Sequence, residues 1–235
     1  MSGAFRATRF YKQVTVEDIA DGWQVSLDGR ALKSPAGIEI AYPSRALAEA
    51  IAAEWDAQQQ RIETATMPLF KLLSTAIDRV GPRRDEVVAA SLKYAETDML
   101  CYRTDQPAEL AARQTDQWDP LLAWAREGLG ADLRVTSGIL PIGQPVKTLN
   151  AFRATLEELD ETALTGVSQA AAVMGSLVLG LALERKRIGP DEAADLALLD
   201  ELFQVERWGE DAEAKVRRDR IRAEIADAAR FLDLI

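Results

Sequence analysis

The chain has 235 residues, 48% hydrophobic and 28% charged, with a net charge of −10 from 28 Lys and Arg against 38 Asp and Glu. It holds no histidine and one cysteine, Cys101, which excludes Ser-His-Asp and Cys-His catalysis, His-ligated metal, and any disulfide or cysteine-cluster metal site within the chain. The size and balance describe a folded chain with a sizeable core, and the acidity makes nucleic acid a poor partner.

The first 42 residues read as a β-meander. Phe10–Val16, aromatic and β-branched, predicts a strand, which outweighs a faint likeness of the acid-free residues 1–16 to a transit peptide. Ala20-Asp21-Gly22 turns the chain into Trp23–Leu27, where Trp23, Val25 and Leu27 alternate with polar residues at period two. Asp28-Gly29 is a strong hairpin signal, because both positions favour positive φ. Arg30–Lys33 returns as a short strand, Ser34–Gly37 turns, and Ile38–Ala41 is the last strand.

Helices follow. Pro43-Ser44 opens one, with Ser44 as N-cap and Leu47, Ile51 and Trp55 on one face, set to cover the small sheet. Pro68 opens the next. Its stripe of Leu69, Leu72, Leu73, Ala76, Ile77 and Val80 ends at Gly81-Pro82. Val87 to about Thr97 predicts a third helix. Ala108 to Glu127 predicts a fourth, with Pro120 expected to kink or split it. Residues 128–148 are rich in Gly and Pro, with a short strand expected at Leu133–Val135.

The remainder reads as four helices: Thr148–Leu159, Ala163–Arg187, Pro190–Trp208 and Asp211–Leu234. Ala170–Leu183 is the longest apolar run. Its 14 residues fall short of the roughly 20 a membrane span needs, so it predicts a buried core helix and no membrane insertion. Gly175 and Gly180, five apart, have the wrong interval for a small-residue helix contact. The fold class is therefore α+β: a small N-terminal β-meander plus helix at 1–70, then a larger all-helical orthogonal bundle at 71–235. The boundary lies between residues 60 and 82.

Chemistry-bearing residues are few. Cys101 has no histidine to activate it and reads as structural. Pairs such as Asp85-Glu86 and Asp200-Glu201 suit a solvated face, with carboxylate–metal catalysis as the alternative. No P-loop occurs, and the sequence points to no cofactor and no bound metal. Residues 151–235 carry 11 basic and 18 acidic side chains, a net of −7. Within them the dense run Lys215, Arg217, Arg218, Arg220 and Arg222 is interleaved with acids, which favours intrahelical ion pairing over RNA binding. On Leu198–Trp208, Leu198, Leu202 and Val205 share a core-facing stripe. Asp200, Gln204 and Arg207 follow the same spacing two residues on and would point outward beside Trp208, as a solvated face or a docking surface.

A set of segments in order carries a resemblance over nearly the whole chain: RFYK at 9–12, LDGRALKSPAG at 27–37, PSRALAEAIAAEW at 43–55, TMPL at 66–69, TAID at 75–78, TDMLCYR at 97–103, WDPLLAW at 118–124, and FQ-x-x-x-WGEDAEA at 203–214. The chain resembles the ATP-twelve family of assembly chaperones for the F₁ sector of ATP synthase. Phe70, after TMPL, departs from the small polar residue the family leads one to expect. The resemblance implies a non-enzymatic chaperone that binds the unassembled α subunit of F₁, keeps it from aggregating, and yields it to β. It also implies a functional acidic residue on the helix before the Trp-Gly pair. That position falls on Asp200, so the expected partner-binding set is Asp200, Glu201, Gln204, Arg207 and Trp208. A bacterial cytoplasmic protein is expected, or a mitochondrial matrix one in a eukaryote. A general holdase for exposed apolar surface is the competing chaperone reading.

Overall fold

The computed structural model describes residues 8–42, 44–138 and 140–235; Pro43, expected to open the first helix, lies outside them. Three antiparallel strands come first, β1 (Val14–Ile19), β2 (Gly22–Leu27) and β3 (Arg30–Ala31), in the order β1-β2-β3. The Asp28-Gly29 hairpin pairs Leu27 with Arg30, and both turn residues have positive φ, 49° and 75°. The first strand begins later than Phe10, because Asp28 pulls the preceding segment aside: its carboxylate accepts from the backbone N–H of Lys12 and Gln13 at 3.0 and 2.9 Å. The last expected strand is reduced to bridges, Lys33 to Glu39 and Tyr42 to Trp23. Gly22 (φ 128°) permits the second, since a Cβ there would sit 2.5 Å from the Tyr42 carbonyl oxygen.

Helix α1 (Arg45–Asp56) starts at Ser44, whose Oγ accepts from Leu47 N–H at 3.0 Å. Leu47, Ile51 and Trp55 pack with Val25, Leu27, Ile40 and Tyr42 into one core. Helix α2 (Pro68–Thr75) has no capping side chain of its own. Glu54 of α1 substitutes, accepting from the N–H of Leu69 and Phe70 at 2.8 and 2.9 Å. Phe70 packs edge-on against Trp55 at 5.1 Å, which gives that departure from the family pattern a core role.

The chain does not stop at Gly81-Pro82. A π turn (Ala76–Val80) and a 3₁₀ turn (Gly81–Arg83) carry it directly into α3 (Arg84–Glu96). Gly81 stays in right-handed helical space, and Pro82 occupies an opening position where its missing N–H costs nothing. Pro120 likewise does not split α4 (Ala108–Leu129). Trp118 holds the helix there, fully buried, with Nε1 donating to the Leu196 carbonyl at 3.1 Å. Leu133–Val135 does not form the expected strand; the strand lies just beyond it, as β5 (Thr136–Ser137), parallel to β4 (Tyr102–Arg103).

Helix α5 spans Val146–Glu158. The expected helix over Ala163–Arg187 is two, α6 (Glu161–Met174) and α7 (Leu177–Glu184). Gly175, left-handed, ends the first, and buried Ser176 caps the second by accepting from Leu179 N–H at 3.1 Å. Asp98 seals the break: fully buried, it accepts from Val178 and Leu100 N–H, both at 3.1 Å. The interval argument against glycine contacts fails too. A Cβ on Gly180 would meet the Val167 carbonyl oxygen at 3.0 Å and Ala171 N at 3.2 Å, so this glycine sets the close approach of α7 to α6. The expected helix over Pro190–Trp208 is also two, α8 (Pro190–Ala197) and α9 (Leu199–Trp208), interrupted at buried Leu198. Helix α10 (Ala212–Leu234) starts at Asp211, which caps Ala214 N–H at 2.8 Å.

A larger core joins α3 to α10 around Trp118, Phe152, Leu156 and Leu179. The smaller core beneath the sheet runs on through α2 to Leu73 and takes Phe231 from α10. The α+β architecture holds. Among the described residues no helix is long and apolar enough to cross a membrane.

Candidate functional site

Because α9 starts afresh at Leu199, its buried face is Leu199 and Phe203, while Leu202 and Val205 are only half-buried. The outward row expected of Asp200, Gln204 and Arg207 therefore does not form. Asp200 turns toward α4 and accepts from Gln114 Nε2 at 2.8 Å. Gln114 is buried, and its Oε1 accepts from Thr104 N–H at 2.9 Å. Its carbonyl accepts from Arg103 at 2.8 Å, and Arg103 in turn reaches Asp119 at 2.8 Å.

The rest of α9 is tied down on both sides. Arg207 pairs with Glu109 of α4, and Arg113 of α4 pairs with Glu206 at 2.7 Å. Both guanidiniums lie over the Phe203 ring, 4.6 Å for Arg207 and 5.1 Å for Arg113, a geometry in which ring quadrupole and cation attract. Glu201 faces the other way and pairs with Arg217 of α10. Of the five expected site residues, Asp200, Glu201 and Arg207 are thus engaged within the molecule, and Gln204 faces solvent.

Trp208 is the outlier. It ends α9, is 75% exposed, and is held there by the turn at Gly209 (φ 86°). Val216, on the opening turns of α10, is 70% exposed. Around this corner lie Glu206, Glu210, Asp211 and Glu213, all exposed. A bulky exposed aromatic at a helix end, beside carboxylates of which Glu206 and Glu210 are already paired with Arg113 and Arg218, is suited to anchoring an apolar partner segment. Sequence spacing did not show Gln114, Arg113 or Phe203 as parts of this corner; only the Glu109–Arg113 interval of four hinted at an ion pair.

The basic run of α10 is neutralised throughout. Lys215 pairs with Asp219 at 2.9 Å and Arg220 with Glu224 at 3.2 Å, within the helix as expected. Arg217, Arg218 and Arg222 instead reach out of it, to Glu201, Glu210 and Asp195. Cys101 is buried. Burial first and the Asp98 charge second push its thiol up to about 12, so it stays protonated at neutral pH. Among the described residues no cluster of three or more His, Cys, Asp or Glu is placed to hold a metal ion, which leaves the carboxylate–metal reading without a site there.

Comparison with known proteins shows what the chain as a whole is similar to. The profile of a family described as ATP12 chaperone protein matches residues 8–126. A mitochondrial protein atp12 of Schizosaccharomyces pombe is 27% identical over 213 residues, covering 86% of this chain and 73% of its own. The crystal structure of Atp12 from Paracoccus denitrificans superposes with a TM-score of 0.91 at 41% identity, covering 97% of this chain and 98% of that one. A solved structure from Agrobacterium tumefaciens gives 0.90 at 39% identity, over 97% and 86%. Matched in sequence over half its length and in structure over nearly all of it, the chain belongs to the ATP12 chaperone family.

Proposed function

We propose that this chaperone's client is the unassembled α subunit of the F₁ sector, met at the α9–α10 corner. Family membership makes the chain a chaperone of ATP synthase F₁ assembly. The observation that carries the contact surface is Trp208, three-quarters exposed where α9 ends at the Gly209 turn. An unassembled subunit displays apolar surface that its neighbours later cover. Covering it reversibly suppresses self-association by mass action, worth about 2.7 kcal/mol when chaperone exceeds Kd a hundredfold. A competing β subunit with a larger interface then displaces the chaperone. Asp200, Glu201 and Arg207 serve by holding α9 against α4 and α10, and Gln204 and Trp208 make the contact. The setting is the bacterial cytoplasm, or the mitochondrial matrix in a eukaryote.

The test dilutes denatured α subunit, and separately β subunit, into this protein and looks for a soluble complex by size exclusion. A complex with α alone is the expected result. Complexes with both make the protein a general holdase, and none with either refutes the client assignment.

A further inference from the structure

A groove of about 730 Å³ runs between α2 and α10 over the side of α6, on surface that the α9–α10 corner does not use. That volume is in the range of roughly 300–1,000 Å³ common to ligand clefts. Its apolar lining is Ala65, Pro68, Val87 and Ala223 around the mostly buried Leu72 and Val80. Thr165 and Ser168 of α6 complete the floor with hydroxyls already engaged, Thr165 to the Glu161 carbonyl at 2.7 Å and Ser168 to Ser91 at 2.8 Å.

The two lips differ in charge. On α10, Arg220 is paired with Glu224, while Asp227, partly buried near Arg230, forms no ion pair among the described residues. On the α2 side, Lys71 and Arg79 are exposed and form no ion pair among the described residues. With Lys71, Arg79 and Arg220 against Glu224 and Asp227, the groove lining has a net charge of +1 in a chain of net charge −10, a local reversal of sign concentrated on the α2 lip. We infer that this groove is a second client-binding site, taking an extended segment of the F₁ subunit in which a carboxylate meets Lys71 and Arg79 and a neighbouring apolar side chain covers Pro68, Val87 and Ala223. This groove prefers an acidic–apolar segment, whereas the Trp208 corner offers an exposed aromatic, so the two sites select different segments and together fix the client's orientation.

The inference rests on the client reading above, and the experiment separates the two. A photo-crosslinking residue replaces Gln169, exposed on the groove wall, and in a second preparation Trp208. Binding of refolding α subunit is then compared for wild type, the Lys71→Glu/Arg79→Glu double variant, and Ala223→Trp, which blocks the groove without changing charge. The expected result is a crosslink from position 169 to an acidic–apolar segment of α, and binding about tenfold weaker in both variants. A wild-type complex with no crosslink at 169 and unchanged affinity in both variants overturns the groove while leaving the client reading intact. A crosslink from 169 to a second copy of this chain overturns it in favour of self-association. Failure of the wild type to bind α overturns both.

Discussion

Asp200 Oδ1 accepts a 2.8 Å hydrogen bond from Gln114 Nε2, joining residues 86 positions apart. The acid that family resemblance marks as functional is thus a strut between α9 and α4, and through buried Gln114 it reaches the Thr104 backbone and Arg103.

Substitutions at Asp200 therefore separate charge from connectivity. Asn keeps an acceptor; Lys removes it and points a cation at the Gln114 amide. We expect Asp200→Lys to stay folded but lose about 1–3 kcal/mol in urea denaturation, and Asp200→Asn to lose less. If client binding fails only in the Lys variant, position is what matters. If it fails equally in both, the negative charge itself meets the client.

Trp208→Ala should leave stability within about 0.5 kcal/mol of wild type, since the side chain packs on little. It should weaken the α-subunit complex by about 2 kcal/mol or more if this is the anchor. Thermal melts and titration of the same variant check both halves; an unchanged complex would move the contact elsewhere.

Asp98 carries a pH signature. Burial, only partly offset by hydrogen bonds from Val178, Ser176, Leu100 and Leu177, raises its carboxyl from 3.8 to about 6. The folded state thus holds this proton more tightly than the unfolded one. Its contribution is fully present below about pH 4 and is lost as pH rises to about 6, a swing of about 3 kcal/mol. In Asp98→Asn that dependence vanishes. Denaturation of both proteins should show a stability difference that changes between about pH 4 and pH 6 and is constant on either side.

Gly180→Val should destabilise by about 1–3 kcal/mol, because its Cβ meets the α6 backbone rather than a movable side chain. Chemical denaturation measures the loss. A neutral result would mean that α6 and α7 can part.

Where local chemistry decides, the fold was legible in the sequence. Asp28-Gly29 gave the hairpin, Ser44 and Asp211 the starts of α1 and α10, and the stripe from Leu47 to Trp55 the face that covers the sheet. Distant partners decide the rest. Nothing near Glu54 announces that it caps α2, and Leu198 breaks a helix without being a breaker residue. That break rotates α9, so the stripe of Leu198, Leu202 and Val205 gives way to Leu199 and Phe203, and Asp200 swings inward. The corner's exposed tryptophan was readable; the network that immobilises it depends on α4, some ninety residues earlier.

Phe231 is fully buried in the core beneath the N-terminal sheet, and the nearby Ser44 hydroxyl donates to the Leu234 carbonyl. The sheet and α1 are therefore finished by a residue that lies far downstream of them in the chain. On the ribosome the sheet and α1 must wait, with an unfilled apolar hollow, until residue 231 has emerged. A chaperone built this way passes through its own period of exposed apolar surface before it can cover that of a client.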